Sequence, residues 1–216
     1  MFTKYGYSTI GIACMISFLI IISSFFININ SVKIIFLVIA ALILIFVLNF
    51  FRDPERTPPN RNDVVVSPAD GKVLFVKEIE DKKFIGEKAW MISIFMSPLN
   101  VHVNRIPISG TVEYLEYFEG KFVAAFEDKA SDQNERMEIG IQNSNGKVFF
   151  TQVAGIIARR IVNELKLKDT VKIGKRFGMI KFGSRVDVVV NTSWKPLVQK
   201  DDKVTAGETI LFELIK

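Results

Sequence analysis

The stretch RDPERTPPNRNDVVVSPADGKVLFV, residues 52–76, is where the chain changes character. Pro54, Pro58 and Pro59 deny a helix its backbone donors, so residues 52–60 read as a linker. Beyond it, Val64–Val66 and Lys72–Val76 begin a series of short β-prone runs. Ahead of it, residues 1–51 hold two lysines, Lys4 and Lys33, and no acid. The linker thus separates an apolar segment, 1–51, from a domain covering 52–216.

Working outward toward the C-terminus, the β-prone runs continue as Met91–Met96, Thr111–Tyr117, Glu138–Ile141, Val148–Val153, Val171–Ile173, Val186–Val190 and Thr209–Leu214. Asp70-Gly71, Ser109-Gly110, Asn145-Gly146 and Ala206-Gly207 punctuate them, and Asp-Gly and Asn-Gly are the strong hairpin signals. One stretch, Gly155–Lys166, has apolar residues at 156, 157, 161, 162 and 165, a spacing that predicts a helix. The class is α+β: a β-dominated, barrel- or sandwich-like domain with one helix, preceded by a helical hairpin.

That hairpin follows from two uncharged apolar runs, Ser8–Ile29 and Ile34–Phe51. Eighteen helical residues reach about 27 Å, close to the roughly 30 Å of a bilayer's hydrocarbon. Asn28–Ser31 reads as the turn between them. Ser23-Ser24-Phe25-Phe26 is a poor signal-peptidase site, and a second apolar run behind it fits cleavage badly. Lys4 and Arg52, Arg56 and Arg61 flank one side of the hairpin and only Lys33 the other, which predicts a cytoplasmic domain in the cell membrane.

Composition removes several chemistries. Residues 52–216 carry +3 of the net charge of +5, a near balance that lacks the concentrated basic patch that nucleic acid needs. One cysteine, Cys14, and one histidine, His102, build neither a disulfide nor a zinc site. Every histidine-dependent step must use His102, although a histidine inside Val101-His102-Val103 is more often structural. No Gly-x-Ser-x-Gly elbow is present. Ser67-Pro-Ala-Asp70-Gly71 reads by itself as a turn, and so does Phe182-Gly183-Ser184. The latter has a second reading. Glycine tolerates strained backbone, and a following serine hydroxyl can take the acyl group from nitrogen to oxygen. Elimination from that ester leaves dehydroalanine, which hydrolyses to a pyruvoyl group and ammonia.

Four motifs and a junction bear on that choice. They are Ser67-Pro-Ala-Asp-Gly-Lys-Val73, Pro98-Leu-Asn-Val-His-Val-Asn-Arg-Ile-Pro107, Val153-Ala-Gly-Ile-Ile-Ala-Arg-Arg-Ile-Val162, Gly174-Lys-Arg-Phe-Gly-Met-Ile-Lys-Phe-Gly-Ser-Arg-Val-Asp-Val188, and Phe51-Arg-Asp-Pro54. In this order, over residues 51–216, they resemble the short-form phosphatidylserine decarboxylases. The resemblance implies a proenzyme cut between Gly183 and Ser184 into a large β chain, 1–183, and a small α chain, 184–216. Ser184 would become a covalent pyruvoyl cofactor that accepts the substrate's amine and the electrons released with carbon dioxide. It also implies that phosphatidylserine in the bilayer is the substrate, with a homodimer as a family-level expectation.

Under that resemblance His102 is the proton-transfer residue and Asp70 orients a histidine toward Ser184. Arg159, Arg160 and Arg185 are candidate ligands of the lipid phosphate, since guanidinium forks match phosphate oxygens. A bland reading pairs Arg160 with Glu164 on a solvated face. In one respect the chain departs from the long-form relatives, which carry two histidines three positions apart in the segment matching 98–107; here the second position is Arg105. Three alternatives stand beside this reading: the same chemistry on archaetidylserine, a biotinyl- or lipoyl-like module using Lys72, and a membrane hydrolase using Ser184 and His102.

Overall fold

A computed structural model describes residues 1–120, 134–155, 160–181 and 184–215. The chain divides into two compact units, 1–55 and 56–216.

In the first unit, α1 (Tyr7–Phe25) and α2 (Asn30–Phe50) run antiparallel, both long and apolar enough to cross a membrane. The turn comes slightly earlier than the polar cluster suggests, because Asn30 and Ser31 already belong to α2. Small side chains, Ala13, Ser17 and Ser24 on α1 and Ala40 on α2, are buried where the helices meet. Such residues let helix backbones approach, and the Ser17 hydroxyl donates to the Ala40 carbonyl at 3.3 Å. The bulky residues Ile12, Phe18, Leu19, Leu42 and Ile45 point outward, as a lipid-facing surface requires. The open end is closed by backbone bonds from Thr3 to Phe51 and from Asp53 to Met1. Lys4 and Arg52 therefore share one end of the hairpin. At the other, the Lys33 ammonium lies 5.0 Å from the Phe25 ring.

The second unit is built of strands. In chain order they are β1 (Val64–Val66), β2 (Gly71–Asp81), β3 (Glu87–Met96), β4 (Val103–Arg105), β5 (Gly110–Phe118), β6 (Arg136–Asn143) and β7 (Gly146–Ala154). They continue as β8 (Arg160–Asn163), β9 (Thr170–Val171), β10 (Arg176–Lys181), β11 (Ser184–Asn191), β12 (Trp194–Pro196), β13 (Lys203–Val204) and β14 (Ile210–Leu214). A curled eight-stranded sheet has the order β13-β2-β3-β11-β7-β6-β5-β9, and two three-stranded sheets run β4-β10-β8 and β1-β14-β12. Side chains alternate across a strand, so one face of the large sheet supplies Ile92, Ile94, Phe150, Val186 and Val188 to a single core. Phe177 and Ile180 of β10, Phe212 of β14 and Trp194 of β12 fill its other side.

The β-dominated class holds, and Asn145-Gly146 does turn the β6–β7 hairpin, with Gly146 at φ +124°. Asp70-Gly71 does not turn a hairpin. Gly71 opens β2, and a Cβ there would stand 2.3 Å from the Phe95 carbonyl oxygen, so the glycine serves close approach. The helix expected over 155–166 is also corrected. Residues 160–163 form β8, paired to β10 from Gly178↔Asn163 to Lys181↔Arg160, while 156–159 lie outside the described residues. Ile161 and Val162 are β-branched, and Gly178 lets the Val162 carbonyl come so near that a Cβ would sit 2.1 Å from it. Strand pairing thereby overrides the helical spacing. Gly178→Ala should destabilise the protein by about 3 kcal/mol, the upper end for overpacking, read as a lower denaturant midpoint by near-ultraviolet circular dichroism in detergent.

Candidate active site

Ser184 is fully buried and is the first residue of β11, a central strand. It pairs with Met96, the last residue of β3, on one side and with Ala154, the last of β7, on the other. Its side chain shares the core-facing side with Val186 and Val188. There its hydroxyl meets the Met96 sulfur at 3.2 Å. A thioether is a weak acceptor, so among the described residues this hydroxyl has been taken from water without a strong bond in exchange. The end of β7 is fixed from its other edge, since Asn134 Nδ2 donates to the Ala154 carbonyl at 2.7 Å and the Ala154 amide donates to Glu135 O.

Asp70 and His102 reach the same end of β3 by different routes. Lys72 pairs with Phe95, which places the preceding Asp70 beyond Phe95, toward the Met96–Ser97 step. Asp70 accepts from Arg56 Nη2 at 2.9 Å and from the Ala206 amide at 2.8 Å. After β3 the chain turns through 97–100, where Asn100 Oδ1 accepts from the Ser97 amide and hydroxyl. His102 follows, fully buried, with Nδ1 3.0 Å from the Asn100 carbonyl. Its own carbonyl accepts from the Ile180 amide, four residues before Ser184. Asp70 and Ser184 thus precede or begin the two strands that flank β3, near its end, and His102 follows the turn after it. Gly183 and Arg159 lie outside the described residues.

Buried amides that sequence reasoning did not single out complete the surroundings. Gln152 Nε2 donates to Asn104 Oδ1 at 2.8 Å, and Asn104 Nδ2 donates to the Pro68 carbonyl at 3.3 Å. The same Nδ2 lies 3.9 Å from the Met96 sulfur that Ser184 touches. Asn104 falls inside the Pro98–Pro107 motif and Gln152 one residue ahead of the Val153 motif, so adjacency to those motifs was the available signal. Lys181 is a second omission. It stands directly opposite Arg160 across β10 and β8, three residues before Ser184. Burial lowers the Lys181 ammonium from its usual value, and the Arg160 charge lowers it further.

The remaining candidates are placed differently. Arg185 alternates to the opposite face of β11, where its guanidinium forks onto Asp187 at 2.9 and 3.0 Å. There it lines an open groove of about 240 Å³ with Phe75, Lys77 and Thr151, away from the Ser184 hydroxyl. Arg105, at the expected second-histidine position, is buried and donates from Nη1 to the Gly174 carbonyl at 2.8 Å. Lys72 lies within β2 and pairs with Asp201, whereas a carrier lysine must stand at a hairpin tip.

The chain matches known proteins along most of its length. A family model described as phosphatidylserine decarboxylase matches residues 43–212. A phosphatidylserine decarboxylase proenzyme of Chlorobium luteolum is 48% identical over 211 residues, covering 98% of this chain and 99% of the relative. One from Chlorobium phaeovibrioides is 49% identical over 214 residues, covering 99% and 97%. Another, from Prosthecochloris aestuarii, is 44% identical over 217 aligned positions, covering 99% and 98%.

The amide cluster makes its own stability prediction. Asn104→Leu removes the partner of Gln152 Nε2 and one of two donors to the Pro68 carbonyl, and should cost about 2 kcal/mol in denaturant unfolding. Ser193→Leu, at an exposed turn position, is the control and should cost less than about 0.5 kcal/mol.

Proposed function

Because the chain belongs to the phosphatidylserine decarboxylase family, we propose that it converts phosphatidylserine to phosphatidylethanolamine with a pyruvoyl group made from its own Ser184. The observation that carries the reading is the buried Ser184 hydroxyl, held among the described residues only by a thioether, at the start of a central strand and directly following glycine in sequence.

In the processing step, Ser184 Oγ attacks the Gly183 carbonyl carbon, the C–N bond breaks, and an ester forms. Loss of the residue-184 Cα proton then breaks the Cβ–Oγ bond and leaves Gly183 with a free carboxylate. Water releases ammonia from the dehydroalanine and leaves a ketone. His102 is the base for the hydroxyl proton, since it is the one histidine and lies at the same strand end. Asp70, fixed by Arg56 and Ala206, supplies the negative charge that favours a protonated imidazole.

The surroundings of residue 184 fit a pyruvoyl group: small at Ala154, apolar at Met96, polar at Asn104, and closed to bulk water. The group supplies a ketone that takes up the substrate's amine and the electrons left by departing carbon dioxide. His102 returns a proton to the carbon that loses the carboxylate. Arg160 and Lys181 hold the lipid phosphate. The two cations stand directly opposite each other on paired strands, so one anion can be held between them. That anion is better the phosphodiester than the carboxylate, whose charge is lost in the reaction and should not be stabilised in the ground state.

The apolar hairpin anchors the enzyme in the cell membrane, with the catalytic unit on the cytoplasmic side that Lys4 and Arg52 mark. Phosphatidylserine labelled in its serine carboxyl tests the whole reading. The detergent-purified chain should release labelled carbon dioxide and Ser184→Ala should release none, while archaetidylserine measures dependence on the lipid tails. Failure of the wild-type chain to release label would contradict it. Arg160→Gln and Lys181→Gln should each raise KM about tenfold and change kcat by less than about threefold, the pattern of a binding contact.

A further inference from the structure

Gln152 is fully buried on the core-facing side of β7. Its Nε2 is engaged by Asn104, but its Oε1 has no hydrogen-bond partner among the described residues. The direction of the amide is set by the chain. Pro68 O accepts from Asn104 Nδ2, so Asn104 presents Oδ1 to Gln152 and only the Nε2 of Gln152 can meet it. A buried acceptor left in this way is unfavourable and points to an absent donor. Its position is close to the chemistry. Ala154 pairs with Ser184, so Gln152 is the diagonal neighbour on the same face, about 7–8 Å away between backbones. An extended glutamine side chain covers much of that span.

We infer that Gln152 Oε1 accepts a hydrogen bond from the substrate's amino group and, with Asn104 bracing it, positions that nitrogen at residue 184. The inference rests on the proposed chemistry at residue 184 and names the group that brings substrate to it. Headgroup chemistry leaves one complement. The phosphodiester, the carboxylate and the acyl esters only accept hydrogen bonds, whereas the amine donates them. A carbonyl oxygen in a dry site therefore selects the amine end of the headgroup. Arg160 and Lys181, on a different pair of strands, take the phosphate end.

Glycerophosphoethanolamine tests this without turnover, because it carries the amine and the phosphate but no carboxylate. With borohydride, its nitrogen bonds to the ketone carbon, the carbonyl oxygen leaves as water, and a hydride with a proton completes a stable secondary amine. Borohydride alone adds two hydrogens to the ketone and counts the intact group. Both products are read by the mass of the small chain from full-length protein in detergent. Gln152→Met should slow the amine adduct about tenfold or more, as loss of one buried hydrogen bond implies, with reduction by borohydride alone unchanged. Gln152→Glu in its protonated form keeps both a donor for Asn104 Oδ1 and an acceptor oxygen, and should stay within about threefold of wild type. Should Gln152→Met remain uncut, Gln152→Asn, one methylene short, carries the same comparison. An adduct rate in the variant equal to wild type overturns the inference, as does parallel loss of both reactions. Absence of a reducible ketone from the wild-type chain overturns the chemistry at residue 184 and the inference with it.

Discussion

β11 is bonded on both sides from its first residue, and the rest of the site depends on that. The ladder to β3 runs from Ser184↔Met96 to Asn191↔Ala89, and the ladder to β7 from Ser184↔Ala154 to Val190↔Val148. A break immediately before Ser184 would leave the ladder bonds from Arg185 onward in place. Residues 184–216 also supply β13 to the edge of β2, and β12 and β14 to the sheet that contains β1. A 33-residue piece woven into two sheets has no separate folded existence and no simple route out. Strong pairing on one side of the proposed cut would therefore permit reaction at residue 184 without loss of the fold around it.

The same placement explains the buried polar groups. Ser184, Asn104 and Gln152 are fully buried beside an apolar core, where each would ordinarily be unfavourable unless bonded. Asn104 is bonded to Pro68 on one side and to Gln152 on the other. Arg105 belongs to this scaffold. Its amide donates to the Pro68 carbonyl and its guanidinium to the Gly174 carbonyl, and a Cβ on Gly207 would stand 2.9 Å from its Cδ. Gly174 and Gly207 both adopt φ +76°, which a larger residue rarely does. An arginine where long-form relatives carry a second histidine thus braces the turns around the site, and His102 is left as the sole imidazole.

Much of this was legible from residues alone, for identifiable reasons. Proline spacing at 54, 58 and 59 and the charge-free runs before them mark the hairpin, and β-branched runs mark β1, β3, β7 and β11. Ser184, His102 and Asp70 stood out because the motifs around them are distinctive. What remained hidden depends on register. Apolar spacing in 155–166 is compatible with a helix until β10, with Gly178 opposite, offers Ile161 and Val162 a strand to pair with. Whether Arg185 faces Ser184's side of the sheet follows from alternation only once β11 is known to start at Ser184. Gln152 and Asn104 lie 48 residues apart, and no local pattern announces that they meet.

The most direct measurement is the intact mass, under denaturing conditions, of the wild-type chain purified from membranes in detergent. The account predicts two chains, the smaller being residues 184–216 and about 17 Da lighter than its serine-ended sequence, the exchange of an amino terminus for a ketone. A single uncut chain of 216 residues from folded protein would contradict it.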